Sequence, residues 1–265
     1  MNENLITHND AIKKLIPALA KRIRSDFLDR NRDPEGFSLI KENAKFRDIH
    51  RGERCFIIGN GPSLLRQNLS PLKEEYVFTC NRIVQSEIYQ LVEPSFHFWS
   101  DSRLIRQPSG SPEEKRIVDI FRSIKTGECD PQVFVDSAMR DFIEDHELRN
   151  YLNINYILCS HHKAFSPSGY VDLCRPLPHL PTVIHSAILA AVYMGFSEII
   201  LLGCDCTGFV SLANAVAHAE IYEEQYCYKM DSLDKEATAN AFAGEAIADE
   251  LQNYVDLFHT YSLIQ

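Results

Sequence analysis

Short apolar runs rich in β-branched and aromatic residues recur along the chain: CFII (55–58), YVFTCN (76–81), SFHFWSD (95–101), QVFVD (132–136), INYILCS (154–160) and EIILLGCD (198–205). They are strand-length and have little polar alternation, the last reading as fully buried. Segments of helical period lie between them. Strands covered on both faces belong to parallel sheets, because crossover helices shield both sides. The pattern predicts an α/β fold: a Rossmann-like, mostly parallel sheet with helices on both faces.

Helix signals punctuate the runs. In SPEE, Ser111 is placed to cap, Pro112 to start the first turn and Glu114 to complete a capping box. Ile117, Ile120, Phe121 and Ile124 continue the period, and SAMRDFIEDHEL (137–148) reads as a further helix. PTVIHSAILAAVYMGF (181–196) is an almost wholly apolar helix with Gly195 as its C-terminal stop.

At the start of the chain, Ile12, Leu15, Ile16, Leu19, Ile23 and Phe27 share a helical face that Pro17 kinks or divides. The division expected is an N-terminal helical arm over 1–50 and a Rossmann-like domain over 51–265. Within the latter, residues 206–235 break the alternation and read as a small lid subdomain. From Asp234 a final helix is expected with Ala243, Ile247, Leu251, Tyr254 and Phe258 on one face. The chain reaches Gln265 where the alternation would supply another strand, so a further strand is expected beyond it.

A formal net charge of −10 over 265 residues argues against a nucleic-acid partner, which would want a basic surface. No apolar run approaches the roughly 20 residues of a membrane span. The first residues carry no signal-peptide pattern. Eight cysteines are scattered without a CxxC, and Cys204 and Cys206 are the nearest pair. They read as small buried hydrophobes of a reduced, cytoplasmic protein rather than disulfides or a zinc site. Peripheral membrane association and homo-oligomers stay open.

The turn GNGPS, residues 59–63, follows the first strand directly. Glycines there let backbone approach a ligand, and N–H groups at a helix start favour an anion. Gly59, Asn60, Gly61, Pro62 and Ser63 fit that geometry, although the pattern is neither GxGxxG nor a Walker loop. A plain strand–turn–helix corner fits equally well. Other strands end in Asn81, in Ser100 and Asp101, and in Gly203 and Asp205. In a parallel sheet these would converge on one crevice.

Together, FIIGNGPSL, a strand ending in CN, and AAVYMGFSEIILLGCD resemble the bacterial sialyltransferases of glycosyltransferase family 42. They are similar also to the MptE-like (hydroxymethylpterin-diphosphokinase-like) and motility-associated flagellin glycosyltransferase proteins. The likeness covers about 54–105 and 180–208. It implies that Asn60 and Asn81 contact the nucleotide of a CMP-linked donor and that Thr182 faces it. It matches Asp205 to the family's strand-ending Asp. Pro181 departs from the family's small residues, and Thr207 stands where a phosphate-binding tyrosine is expected. Lid tyrosines on the donor phosphate and a lid histidine as base are also implied. Tyr222, Tyr226, Tyr228 and His218 are the lid's residues of those types, without a positional match.

Glycosyl transfer needs a base for the acceptor hydroxyl and stabilisation of the departing phosphate. His218, with Asp205, is the catalytic candidate. Gly59–Ser63, Asn81, Ser100, Asp101, Thr182, Gly203 and Thr207 are candidates for the donor nucleotide. Tyr222, Tyr226 and Arg175 are candidates for its phosphate. Packing roles compete throughout. His185 reads as a core histidine, His161 and His162 as a loop pair, His218 as a surface or packing residue, and Trp99 as core or a base-stacking ring. The function expected is transfer of a sugar from a nucleotide donor to a glycan or lipid-linked acceptor, with no cofactor and no metal. A pterin-type diphosphokinase using ATP and Mg²⁺, or a non-catalytic nucleotide-binding module, are the alternatives.

Overall fold

A computed structural model of the chain describes residues 23–160, 171–178, 180–206, 208–210, 213, 226–241 and 247–264. Its centre is a six-stranded, all-parallel sheet: β1 (Arg54–Ile58), β2 (Tyr76–Cys80), β3 (Phe96–Trp99), β4 (Gln132–Asp136), β5 (Asn153–Ile157) and β6 (Glu198–Leu202). The order is β5-β4-β3-β2-β1-β6. Consecutive strands march outward from β1 to β5. The chain then returns across the whole sheet and adds β6 on the far side of β1, with Phe56 opposite Ile200. The order therefore reverses between β1 and β6. The fold is the Rossmann-like α/β architecture that the alternation predicts.

Helices cover both faces. On one lie α3 (Glu87–Val92), α4 (Pro112–Arg122) and α5 (Arg140–Asp145), with 3-10 turns at Pro62–Arg66, Ser70–Glu74 and Asn81–Gln85. Ile88, Tyr89, Ile117, Phe121 and Ile143 pack there against Val77, Trp99, Val133 and Val135. The opposite face is covered by α6 (Val183–Met194), which runs over β1, β2 and β3. Alternation at period two explains the split: Val133 and Val135 face one layer and Phe134 the other.

The cap at Ser111 and the stop at Gly195 work as read; the capping box does not close. Ser111 Oγ accepts from the Glu114 N–H at 3.1 Å. The Glu114 carboxylate reaches back one residue further than a capping box requires and accepts from Gly110 N–H. Thr182 caps α6, and Gly195 ends it at φ +89°. Its last carbonyls are satisfied by a neighbouring loop: Asp48, His50 and Gly52 donate N–H groups to Tyr193, Met194 and Gly195 oxygens at 3.1, 2.9 and 3.2 Å.

The amino-terminal residues described are docked on the sheet. The helix over 23–32, α1, and the short α2 (Pro34–Leu39) lie beside the C-terminal ends of β4 and β5. Asp33 accepts from Ser137 Oγ and Arg140, and Asn43 donates to Tyr156 and Leu173 carbonyls. Ile40 and Phe46 are core residues. Residues 1–22, with Pro17, lie outside the described residues, as does half of the expected lid.

Two expectations are corrected. β6 is not fully buried: among the described residues it pairs with β1 alone, and Leu201 is 38% exposed. An apolar run cannot tell a central strand from an edge strand. Over the expected final helix the described residues form α7 (Ser232–Ala241) and α8 (Ile247–Ile264), and Ala243 lies outside them. Of its expected apolar face, Tyr254 is buried but Leu251 and Phe258 are exposed. The face turned inward is Tyr254, Leu257 and Tyr261 instead. Among the described residues, no helix is long and apolar enough to cross a membrane.

Candidate functional site

In open parallel sheets the crevice forms where strand order reverses, beyond the strands' C-terminal ends. Here that point is the junction of β1 and β6. A cavity of about 270 Å³ opens there, walled by Gly59–Gly61 after β1, Cys80–Arg82 after β2 and Gly203–Cys206 after β6. Asp101, the start of α6 from Thr182 to Ile184, Tyr226, Tyr228, and the inner face of α8 complete it.

The two glycines of the GNGPS turn are explained by their neighbours. A Cβ on Gly59 would overlap the Gly203 carbonyl. One on Gly61 would stand 2.5 Å from Asp205 Cγ and 2.7 Å from the Gly203 oxygen. The loops after β1 and β6 are thus pressed together. Gly59 and Gly61 N–H groups donate to the Leu202 and Gly203 carbonyls, each at 2.8 Å. Ser63 donates both its N–H, at 2.8 Å, and its hydroxyl to the Asp205 carboxylate. The anion expected on this turn is therefore the protein's own Asp205. Three of the N–H groups that could have cradled a phosphate are already occupied. Pro62 starts only a five-residue 3-10 turn, not an α-helix.

Polar groups at the end of β2 are in the opposite condition. Asn81 has φ +51°, a left-handed geometry that Asn tolerates better than most residues. Its Oδ1 is buried and has no hydrogen-bond partner among the described residues. Arg82 is only 3% exposed. Its Nη1 pairs with Asp234 Oδ1 at 3.0 Å, while Nε and Nη2 have no partner among the described residues. Asp234, the fully buried first-turn acid of α7, also accepts from Arg116 at 3.0 and 3.1 Å and from Gln85 at 2.8 Å. Burial pushes its carboxyl up, but these bonds and the charges of Arg82 and Arg116 outweigh burial and hold it below its ordinary value. The network fastens α7 against α4.

No known family model matches the chain, and no curated protein does.

The crevice gathers Gly59, Asn60, Gly61, Asn81, Asp101, Thr182, Gly203, Asp205 and Tyr226 from the sequence reading. The Asn60 carbonyl accepts from Cys227 N–H at 2.8 Å, tying the segment that carries Tyr226 and Tyr228 to the turn. The two tyrosine rings are parallel, with centroids 5.1 Å apart. Asp101 is bound by the Arg103 side chain at 2.9 Å through each oxygen. Pro62, Ser63 and Ser100 are not among the residues that wall the cavity. Arg175 stands outside it too and pairs with Asp26 of α1. Trp99 is core, fully buried against Phe121 at 4.6 Å. His218, Thr207, Tyr222, His161, His162 and His179 lie outside the described residues.

Described histidines near the sheet are packing residues. Burial lowers His97 to about 3 and His185 to about 4, so both are neutral near pH 7. His185 packs edge-on against Tyr261. Burial likewise raises the Cys204 thiol to about 11 and pushes Cys80 higher still, so neither is a thiolate nucleophile. Arg82 was missed by sequence reading. Its signal was a cation directly after a buried strand and before the apolar pair Ile83–Val84. Leu257 and Tyr261 were missed because α8 carries a second apolar stripe, which shares Tyr254 with the one read from the sequence.

Proposed function

We propose that this protein is a glycosyltransferase that moves a sugar from a nucleotide donor to a glycan or lipid-linked acceptor. The observation that carries the reading is the unsatisfied polar pair at the end of β2, Asn81 Oδ1 and the Arg82 guanidinium, on the wall of a cavity at the sheet's switch point. Buried polar atoms are almost always paired, and an exception calls for a partner such as an ion, a water or a ligand; these two stand on the cavity wall. The donor nucleotide lies along Gly59–Gly61, Asn81 and Thr182, with Gly203 and Asp205 behind it. Asp205 keeps the turn closed through Ser63 rather than meeting phosphate. In the transfer step the acceptor hydroxyl attacks the anomeric carbon, the bond from that carbon to the phosphate oxygen breaks, and the hydroxyl proton passes to a base. His218 is the residue proposed for that base, and Tyr226 faces the departing phosphate. CMP-linked sugars are the first donors to test.

Thermal-shift measurements with CMP, UDP, GDP and ATP, each with and without Mg²⁺, test this reading. A ligand bound to the folded state alone raises the melting temperature, by RT ln(1 + [L]/Kd) in free energy. Stabilisation by CMP or UDP without metal is expected, and loss of it in Asn81→Ala. Stabilisation by ATP with Mg²⁺ alone would point to diphosphate transfer. Silence to every nucleotide would point to a binding module of another kind.

A further inference from the structure

We infer that Arg82 is the oxyanion-binding side chain of the crevice, taking two oxygens of the donor's phosphoryl group on its Nε–Nη2 edge. The inference deepens, and rests on, the nucleotide-donor reading. Arg82 lines the cavity but is 3% exposed, so its charge is largely removed from water. A guanidinium has five N–H donors and cannot shed its proton in a protein. The bonds described for it run from Nη1 alone to Asp234, at 3.0 Å to the carboxylate and 3.3 Å to the carbonyl. Its Nε and Nη2 form the planar fork that matches phosphate or carboxylate bidentately, and neither has a partner among the described residues.

The surrounding acids do not claim that fork. Asp101 has both oxygens on Arg103. Asp205 has both on Ser63. Asp234 already receives Arg116 and Gln85, so Arg82 is not needed to satisfy it. A purely structural clamp would be expected to direct both Nη atoms, or Nε with Nη2, at Asp234, as Arg116 does with Nε and Nη2. Tyr228 and Tyr226, on the same wall, lie within electrostatic reach of the guanidinium. An anion held there would sit beside the end of β2, next to Asn81.

Isothermal titration with inorganic pyrophosphate, and with the pairs CMP and cytidine and UMP and uridine, tests the assignment. Wild-type protein is expected to bind pyrophosphate and to prefer a nucleotide over its nucleoside. Arg82→Gln and Arg82→Lys are expected to lose roughly ten-fold or more in pyrophosphate affinity, the usual scale for a charged hydrogen-bonded pair. Both should leave nucleoside affinity unchanged. Arg116→Gln loosens the same Asp234 network without touching the cavity and should leave pyrophosphate affinity within about two-fold. Equal pyrophosphate affinity in folded Arg82→Lys or Arg82→Gln overturns the inference. So does an equal loss in Arg116→Gln, or wild-type protein that binds no pyrophosphate. If pyrophosphate binds through Arg82 while no nucleotide does, Arg82 is an oxyanion site but the donor reading falls, and with it the donor's part in the inference. If nucleotides bind equally well without Arg82, the donor reading stands and the inference falls.

Discussion

Replacing Gly59 by Ala asks whether the turn's glycine serves packing or ligand approach. Its φ is not in the left-handed region, so the backbone itself can accept alanine. In open space the change would stabilise the chain by about 0.4–1 kcal/mol through the unfolded state. The space is not open. The new methyl would overlap the Gly203 carbonyl oxygen and stand 3.0 Å from its carbon and 3.2 Å from Cys204 Sγ. Backbone cannot rotate aside as a side chain can, so the loops after β1 and β6 must part. Overpacking of this kind costs about 1–3 kcal/mol. Stretching the Gly59 and Gly61 bonds to Leu202 and Gly203 adds up to about 1 kcal/mol each. A net loss of about 2 kcal/mol lowers Tm by about 4–8 °C for a chain of this size. Urea denaturation and thermal melting of ligand-free protein measure it. Gly52→Ala is the control: nothing lies within 4 Å, and φ +85° leaves only backbone strain of about 1–2 kcal/mol. A Gly59→Ala protein as stable as wild type, without ligand, would refute the packing argument.

Asp234→Ala leaves the Arg82 guanidinium buried without its carboxylate and is expected to cost about 3–5 kcal/mol by denaturant titration. Because the folded carboxyl titrates below its ordinary 3.8, the stabilisation is complete above that value and is lost as pH falls through the lower folded pKa, so wild type and variant should converge in strong acid. His185 runs on a different window. Its folded pKa is about 4 against an ordinary 6.5, so the unfolded chain takes up the proton first and stability falls as pH drops from 6.5 towards 4. Its ring nitrogens have no partner among the described residues, so His185→Leu should hold or raise stability at pH 7.5 and flatten that acid loss.

What was legible in the sequence follows from the range of each signal. The Ser111 cap and the stop at Gly195 are set by a few neighbouring residues and stand as read, while the reciprocal bond of Glu114 falls on Gly110 rather than Ser111. The strand runs are local too, and they gave the parallel sheet. Position within that sheet is not local: EIILLG has the composition of a central strand and lies at an edge of the sheet formed by the described residues. The GNGPS turn shows the same limit. Its glycines and its serine are visible, but the partner that explains them, Asp205, is 142 residues away from Ser63. Arg175 looked available for an anion because Asp26 could not be placed beside it. Arg82 went unremarked because the burial and the half-used guanidinium that set it apart arise only when α7 and α4 come together.

Because β1 pairs with β2 nearby in sequence and with β6 far away, the two edges of that strand form on different schedules. β1 to β5 can assemble in the order in which they are made, each joining its predecessor. The β6 edge must wait for more than a hundred further residues and the return of α6, and long loop closures are the slow ones. The wall formed by Gly203–Cys206 has no existence before that step. A chain interrupted ahead of β6 could therefore bury much of its core and still have no crevice, so the crevice exists only once synthesis has passed β6.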